Sequence, residues 1–176
     1  MLAAAALLLA GCGAPPGDAG FEVLSADARW RGDALEVTVR QRLRLSEEAR
    51  EALRHGVALT LRMDIALHPE GEAARRGAAS RSYEIRYLPL SEHYQLRPLE
   101  GGESETFPRL RHVLARLGEL RVNLETDAPR DAALELRVRT QLDASRLPAP
   151  MRLPALLSAA WRLDSEWTRW PLTANA

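Results

Sequence analysis

The strongest nucleophile in this sequence is Cys12, the only cysteine among 176 residues. A lone thiol can form neither an internal disulfide nor a thiolate metal site. Its setting suits a different chemistry. Cys12 closes Leu9-Ala10-Gly11-Cys12, at the end of the unbroken apolar run Leu2–Ala10. Small residues ahead of the thiol let a peptidase take up the chain, and the thiol is the group that diacylglycerol alkylates in bacterial lipoproteins. The run is too short to span a bilayer as a helix but fits the apolar region of a secretory signal. No Lys or Arg precedes it, a departure from the signal pattern that points to a start further upstream. Residues 1–11 are therefore expected to be a lipoprotein signal, with Cys12 as the lipidation site and 12–20 as a flexible tether of Gly, Ala and Pro. Gly13 rather than Asp follows the cysteine, which in enteric bacteria favours transport to the outer membrane.

Other reactive residue types do not assemble into a site. The histidines are His55, His68, His93 and His112. None forms an i, i+4 pair or an H-x-H strand pair, so no metal is expected. Ser91-Glu92-His93 has the residue types of a hydrolytic triad, but neighbours on a turn rarely form a hydrogen-bonded relay. There is no G-x-S-x-G elbow and no glycine-rich phosphate loop. The sequence thus points to no cofactor and to no enzyme.

Binding chemistry leaves two candidates. Arg40, Arg42 and Arg44 alternate along one strand and so share a face. They could form an anion-binding stripe for lipid headgroups or an acidic partner. The plainer reading, which the balanced charge favours, is a solvated face paired with carboxylates on neighbouring strands, such as Glu135. The second candidate is the end Trp161–Trp170, with three of the four tryptophans. Read as one strand, Trp161, Leu163 and Trp167 point inward as core, and Trp170 points out as a contact residue. Trp167 and Trp170 enter the candidate contact surface because tryptophan anchors interfaces. Arg31-Gly32-Asp33 reads as a tight turn between strands, not an adhesion motif.

Charge and composition narrow the class. Lys+Arg and Asp+Glu are 24 each, and every basic residue is arginine. Zero net charge excludes the basic excess of a nucleic-acid binder. The missing lysine looks like the codon bias of a GC-rich genome. Hydrophobic residues make up 46% and charged residues 27%, which suits one globular domain.

The elements that must position these residues are mostly strands. Period-two alternation runs through Asp33–Leu45, Val57–Leu67 and Leu134–Leu142, which predicts half-buried antiparallel strands. Weaker strand patterns occupy Val23–Trp30, Ser82–Leu88, Tyr94–Leu99 and Trp161–Trp167. Ser46 is placed to cap a short helix opening with Glu47 and Glu48 and stopping near Gly56. Leu110, Val113, Leu114 and Leu117 follow helical spacing from Pro108 to Gly118, and a third turn or two is expected over Leu153–Ala159. Pro69–Ser80 holds no apolar anchor and is expected to be the least ordered stretch. The expected fold is mainly β (α+β): an antiparallel β-sandwich or curved sheet with two or three short helices, over residues 21–172, ahead of a 173–176 tail.

Three blocks resemble the proteobacterial domain of unknown function 4390. They are Arg81–Tyr87 with Leu90-Ser91 and Tyr94-Gln95-Leu96; Phe107 with Leu110, Ala115 and Leu117-Gly118; and Leu147–Pro150 with Trp161–Trp167 and Trp170-Pro171-Leu172. The tryptophan-rich end is the most specific. The resemblance implies an exported protein, often encoded beside a membrane sensor kinase of the nitrogen-regulation type, and implies no reaction. The resemblance also implies, for many members, tryptophans in the loop matched by Pro69–Ser80, and this chain has none there.

Together these readings describe a periplasmic protein held by lipid at Cys12 to a membrane of a Gram-negative bacterium, the outer one favoured. Its expected role is that of a non-enzymatic binding module for an envelope membrane protein such as a sensor kinase. The alternative is a carrier of lipid or another small apolar ligand.

Overall fold

A computed structural model describes residues 19–172. The signal segment, Cys12, most of the tether and the 173–176 tail lie outside the described residues.

Among the described residues, nine strands and three short α-helices follow in chain order: β1 (Gly20–Arg31), β2 (Ala34–Arg44), α1 (Glu47–Arg54), β3 (Leu59–Pro69), β4 (Gly77–Leu88), β5 (His93–Pro98), β6 (Glu105–Phe107), α2 (Leu110–Leu117), β7 (Glu119–Glu125), β8 (Leu134–Leu142), α3 (Ala149–Leu157) and β9 (Thr168–Leu172). They form two antiparallel sheets, β1-β2-β7 and β6-β5-β4-β3-β8-β9. The sheets stack, with β1 against β8 and β9 and β7 against β4. The expected β-rich fold is observed, as two sheets that do not close into a barrel.

Alternation explains the stacking. Leu35, Val37 and Val39 of β2 are buried, as are Leu61, Met63, Ile65 and Leu67 of β3 and Leu136 and Val138 of β8. A slip of one residue would turn each of these sets into water, so register and core specify each other. Arg31 and Ala34 pair across the turn at Gly32, whose φ of 58° is open to glycine. The turn expected there is thus in place.

The helices close one end of the sandwich. Ser46 caps α1 by accepting from the Ala49 amide at 3.1 Å, and Ala49 and Leu53 are buried. Helix α2 buries Val113 and Leu117 and stops at Gly118. Helix α3 begins earlier than its apolar pattern suggested, behind Pro148, because Pro150 suits a first helical turn. Arg44 pairs with Gly20, and Leu142 with Leu61. The start of β1, helix α1, the β4–β5 turn and the chain leading into α3 therefore share one end.

Two expectations are corrected. Pro69–Ser80 is not one loop: Gly77–Ser80 pairs with Asp64–Leu67, which leaves only 70–76 as a connection. These residues have no large side chains, but ladder hydrogen bonds need none. A Cβ on Gly77 would lie 2.8 Å from the Glu125 carbonyl oxygen, so glycine permits the close passage of β4 beneath the end of β7. The second correction concerns Trp161–Trp167, which is not a strand. Trp161 ends a 3-10 turn (Ala159–Trp161), Asp164 makes a single bridge to Gln141, and Glu166 has a φ of 56°. The strand starts only at Thr168.

Candidate functional site

The arginine stripe lies on the outer face of β2. Antiparallel pairing sets Arg42 opposite Glu22 and Arg40 opposite Glu119. Arg42 Nη1 donates to Glu22 Oε2 at 2.8 Å, and Arg40 Nε to Glu119 Oε2 at 3.2 Å. Arg44 continues the row opposite Gly20. The arrangement is a cross-strand ladder of exposed ion pairs, each worth about 0–1 kcal/mol. Glu135, considered above as a partner, sits in the other sheet and binds Arg137 at 2.8 Å.

Beside this stripe runs an open groove. The register of β1 shifts between Val23 and Ser25, and the extra residue, Leu24, is 42% exposed. Across from it α2 packs against the end of β2, where the Gln41 amide donates to the Gly118 carbonyl at 2.8 Å. A Cβ on Gly118 would lie 3.3 Å from the Gln41 carbonyl oxygen, so any side chain here would press on β2. The resulting trough of about 560 Å³ is lined by Leu24, Arg40, Arg42, Arg111 and Leu114. Between the sheets the core side chains are almost wholly buried, and the hole bounded by Gln41, Leu61, Met63, Tyr83 and Leu120 measures about 10 Å³. Such a hole holds at most a water molecule.

The tryptophan-rich end is built around Asp164. Arg139 Nε lies 3.0 Å from each carboxylate oxygen, and Nη2 closes a fork onto Oδ2. The Glu166 amide donates to Oδ1 at 2.7 Å. Burial pushes the Asp164 carboxyl up, but Arg139 and the Glu166 amide outweigh it and hold the group below its ordinary value. Ser165 and Thr140 exchange two further bonds of 2.9 Å each. The segment is thereby stapled to β8, with Leu163 buried and Trp161 packed on the core. The turn at Glu166 reverses the expected directions. Trp170 packs against the core and donates Nε1–H to Thr168 Oγ1 at 3.0 Å, whereas Trp167 is 48% exposed. Of the two candidate contact residues, Trp167 is the exposed one and Trp170 packs on the core.

The remaining candidates stay apart. The His93 ring nitrogen Nδ1 contacts the Ser91 carbonyl oxygen; Ser91 and Glu92 belong to the turn that leads into β5 at His93. Among the described residues no three His, Cys, Asp or Glu side chains could hold a metal. The spacing of His68 gave no sign of its environment: it is buried opposite Glu135, and its Nδ1 has no hydrogen-bond partner. Its position between Leu67 and Pro69, out of phase with the core-facing Leu61, Met63, Ile65 and Leu67, hides this burial in the sequence. Among the described residues, no helix is long and apolar enough to cross a membrane.

A family model described as a domain of unknown function (DUF4390) matches residues 18–171. No curated protein and no solved structure matches the chain.

Proposed function

The chain belongs to the DUF4390 family, and from that premise we propose that it is an exported, lipid-anchored envelope protein acting as a non-enzymatic binding module. Its anchor is Cys12, in the periplasm of a Gram-negative bacterium. Its partner is a membrane protein of the envelope, the class to which a sensor kinase belongs. The observation that carries this reading is the packed interior. A carrier of apolar ligands encloses a cavity of hundreds of Å³, whereas the facing side chains of β2, β3 and β8 are buried against one another and the hole beside Gln41 measures about 10 Å³. The larger concavity lies outside, in the open groove at α2. The exposed ring of Trp167 adds a residue type that anchors interfaces.

Two measurements test it. Mass spectrometry of the protein from its native host should find an amino terminus at acylated Cys12, and Cys12→Ala should abolish acylation. An unmodified terminus downstream of Cys12 refutes the anchor. A photocrosslinking residue at position 167 should yield one discrete adduct with an integral membrane protein. Stoichiometric extraction of a lipid with the purified protein, with no such adduct, would instead establish a carrier.

A further inference from the structure

We propose that the outward face of α3 rests on the surface of an anionic lipid bilayer. This deepens the anchored reading above, but its observations are separate from Cys12. Leu153, Leu156 and Leu157 fall at i, i+3 and i+4, so they share one face of the helix. They are 69%, 64% and 80% exposed. The opposite face holds α3 to the domain through buried Ala155 and half-buried Met151. Three adjacent leucines in water form a patch that a monomeric domain rarely leaves without an occupant.

The flanking charge identifies the occupant. Between Asp143 and Asp164 the chain holds no Asp or Glu and three arginines; Arg146 pairs back to Asp143 at 3.6 Å, so the rim of the ridge is Arg152 and Arg162. Arg152 and Arg162 are exposed, and Arg152 Nε donates to the Leu147 carbonyl at 2.8 Å. That bond holds the arginine stem along the helix, beside the leucine ridge. A ridge of leucine rimmed by arginine matches the boundary between acyl chains and anionic headgroups.

Topology places the ridge correctly for an anchored chain. The polypeptide enters the fold at Gly20, paired with Arg44, at the end closed by α1 and by the connections leading into α3. Leu90, fully exposed on the β4–β5 turn, lies at that end too. Gly20 is eight positions after Cys12, a reach of at most about 28 Å. A lipid at Cys12 would hold this end of the sandwich next to the membrane, so even a weak contact by α3 is made at high effective concentration.

The test uses the lone thiol. The full chain is coupled through Cys12 to maleimide lipid in vesicles of phosphatidylcholine, with or without phosphatidylglycerol, and amide hydrogen exchange is followed. Amides of 149–163 should exchange at least tenfold more slowly on vesicles containing phosphatidylglycerol than in solution, with a smaller effect on phosphatidylcholine alone. Leu153→Ser/Leu156→Ser should remove this protection without lowering the melting temperature. Arg152→Gln/Arg162→Gln should remove only the excess due to phosphatidylglycerol. Exchange unchanged on both vesicles, or protection kept in the leucine variant, overturns the proposal. So does a dimer in solution that the leucine variant dissolves, which would make the ridge an interface between copies. Because the coupling is artificial, the result does not depend on natural acylation of Cys12, and the two readings can fail separately.

Discussion

Gln41 and Thr140 join the two sheets through the middle of the core, the threonine hydroxyl donating to the glutamine Oε1 at 2.6 Å. Gln41 Nε2 donates in turn to the Leu117 carbonyl at 2.8 Å. One buried side chain therefore ties β2 to β8 and to the last turn of α2. Leucine at position 41 would strand the Leu117 carbonyl and the Thr140 hydroxyl. We expect Gln41→Leu to lose about 2–4 kcal/mol in urea denaturation, and Thr140→Val about 1–3 kcal/mol. The double variant should lose less than the sum, because the second change removes a group the first has already orphaned. Strict additivity would show that the bond contributes nothing.

The two tryptophans of the final segment should separate stability from recognition. Trp170→Ala removes a ring packed on the core and is expected to cost about 2–3 kcal/mol, a drop of roughly 5–10 °C in melting temperature for a chain of this size. Trp167→Ala should change stability by no more than about 0.5 kcal/mol, while weakening capture of the membrane partner. Equal melting temperatures for the two variants would contradict their placement.

Acid should act through Asp164. Its folded-state value lies below the ordinary 3.8, so the stabilisation is present above that value and is lost as pH falls through the folded one. Asp164→Asn removes the charge. The variant should melt below wild type at pH 7, and the gap should narrow as the pH drops below about 4. A gap that stays constant down to pH 2 would mean that the Arg139 pair does not carry the difference.

Limited trypsin digestion should begin after Arg75, which is exposed in the connection between β3 and β4. Arg81, only six residues on, is paired with Met63 and should resist until the domain unfolds. Early cleavage at Arg81 would show that the start of β4 is not paired in solution.

What the sequence made legible follows from how each element earns its order. Strands β2, β3 and β8 bury one face against the other sheet, so period two is written into their residues. The small-residue start of β4 is held by backbone pairing and leaves no hydrophobic trace. Strand β7 alternates cleanly, but Val113, Leu117, Leu120 and Leu124 also fit helical spacing, and only Gly118 marks the change. The arginine ladder was readable as a paired face, though not its partners Glu22 and Glu119, because strand order decides which carboxylates are adjacent. At the tryptophan-rich end, alternation carried through Glu166 inverted Trp167 and Trp170. One left-handed residue resets which side faces in, and glutamate does not announce it. The α3 ridge was hidden for a similar reason: leucines read as core until their outward direction is known.

The four outermost strands bear on how this domain can recognise anything. β6 has three residues; β9 has five and includes Pro171, which lacks an amide hydrogen. β1 is kinked at Leu24, and β7 presents Glu119, Arg121, Asn123 and Glu125 to water. Short, proline-bearing, bulged or charged borders all resist extension by a foreign strand. Extended peptides are therefore poor candidates for sheet augmentation here, and the borders give the folded protein no template for fibrillar stacking. Recognition is left to side chains on faces and helices, so substitutions at single surface positions can retune the partner without touching the ladder that holds the fold.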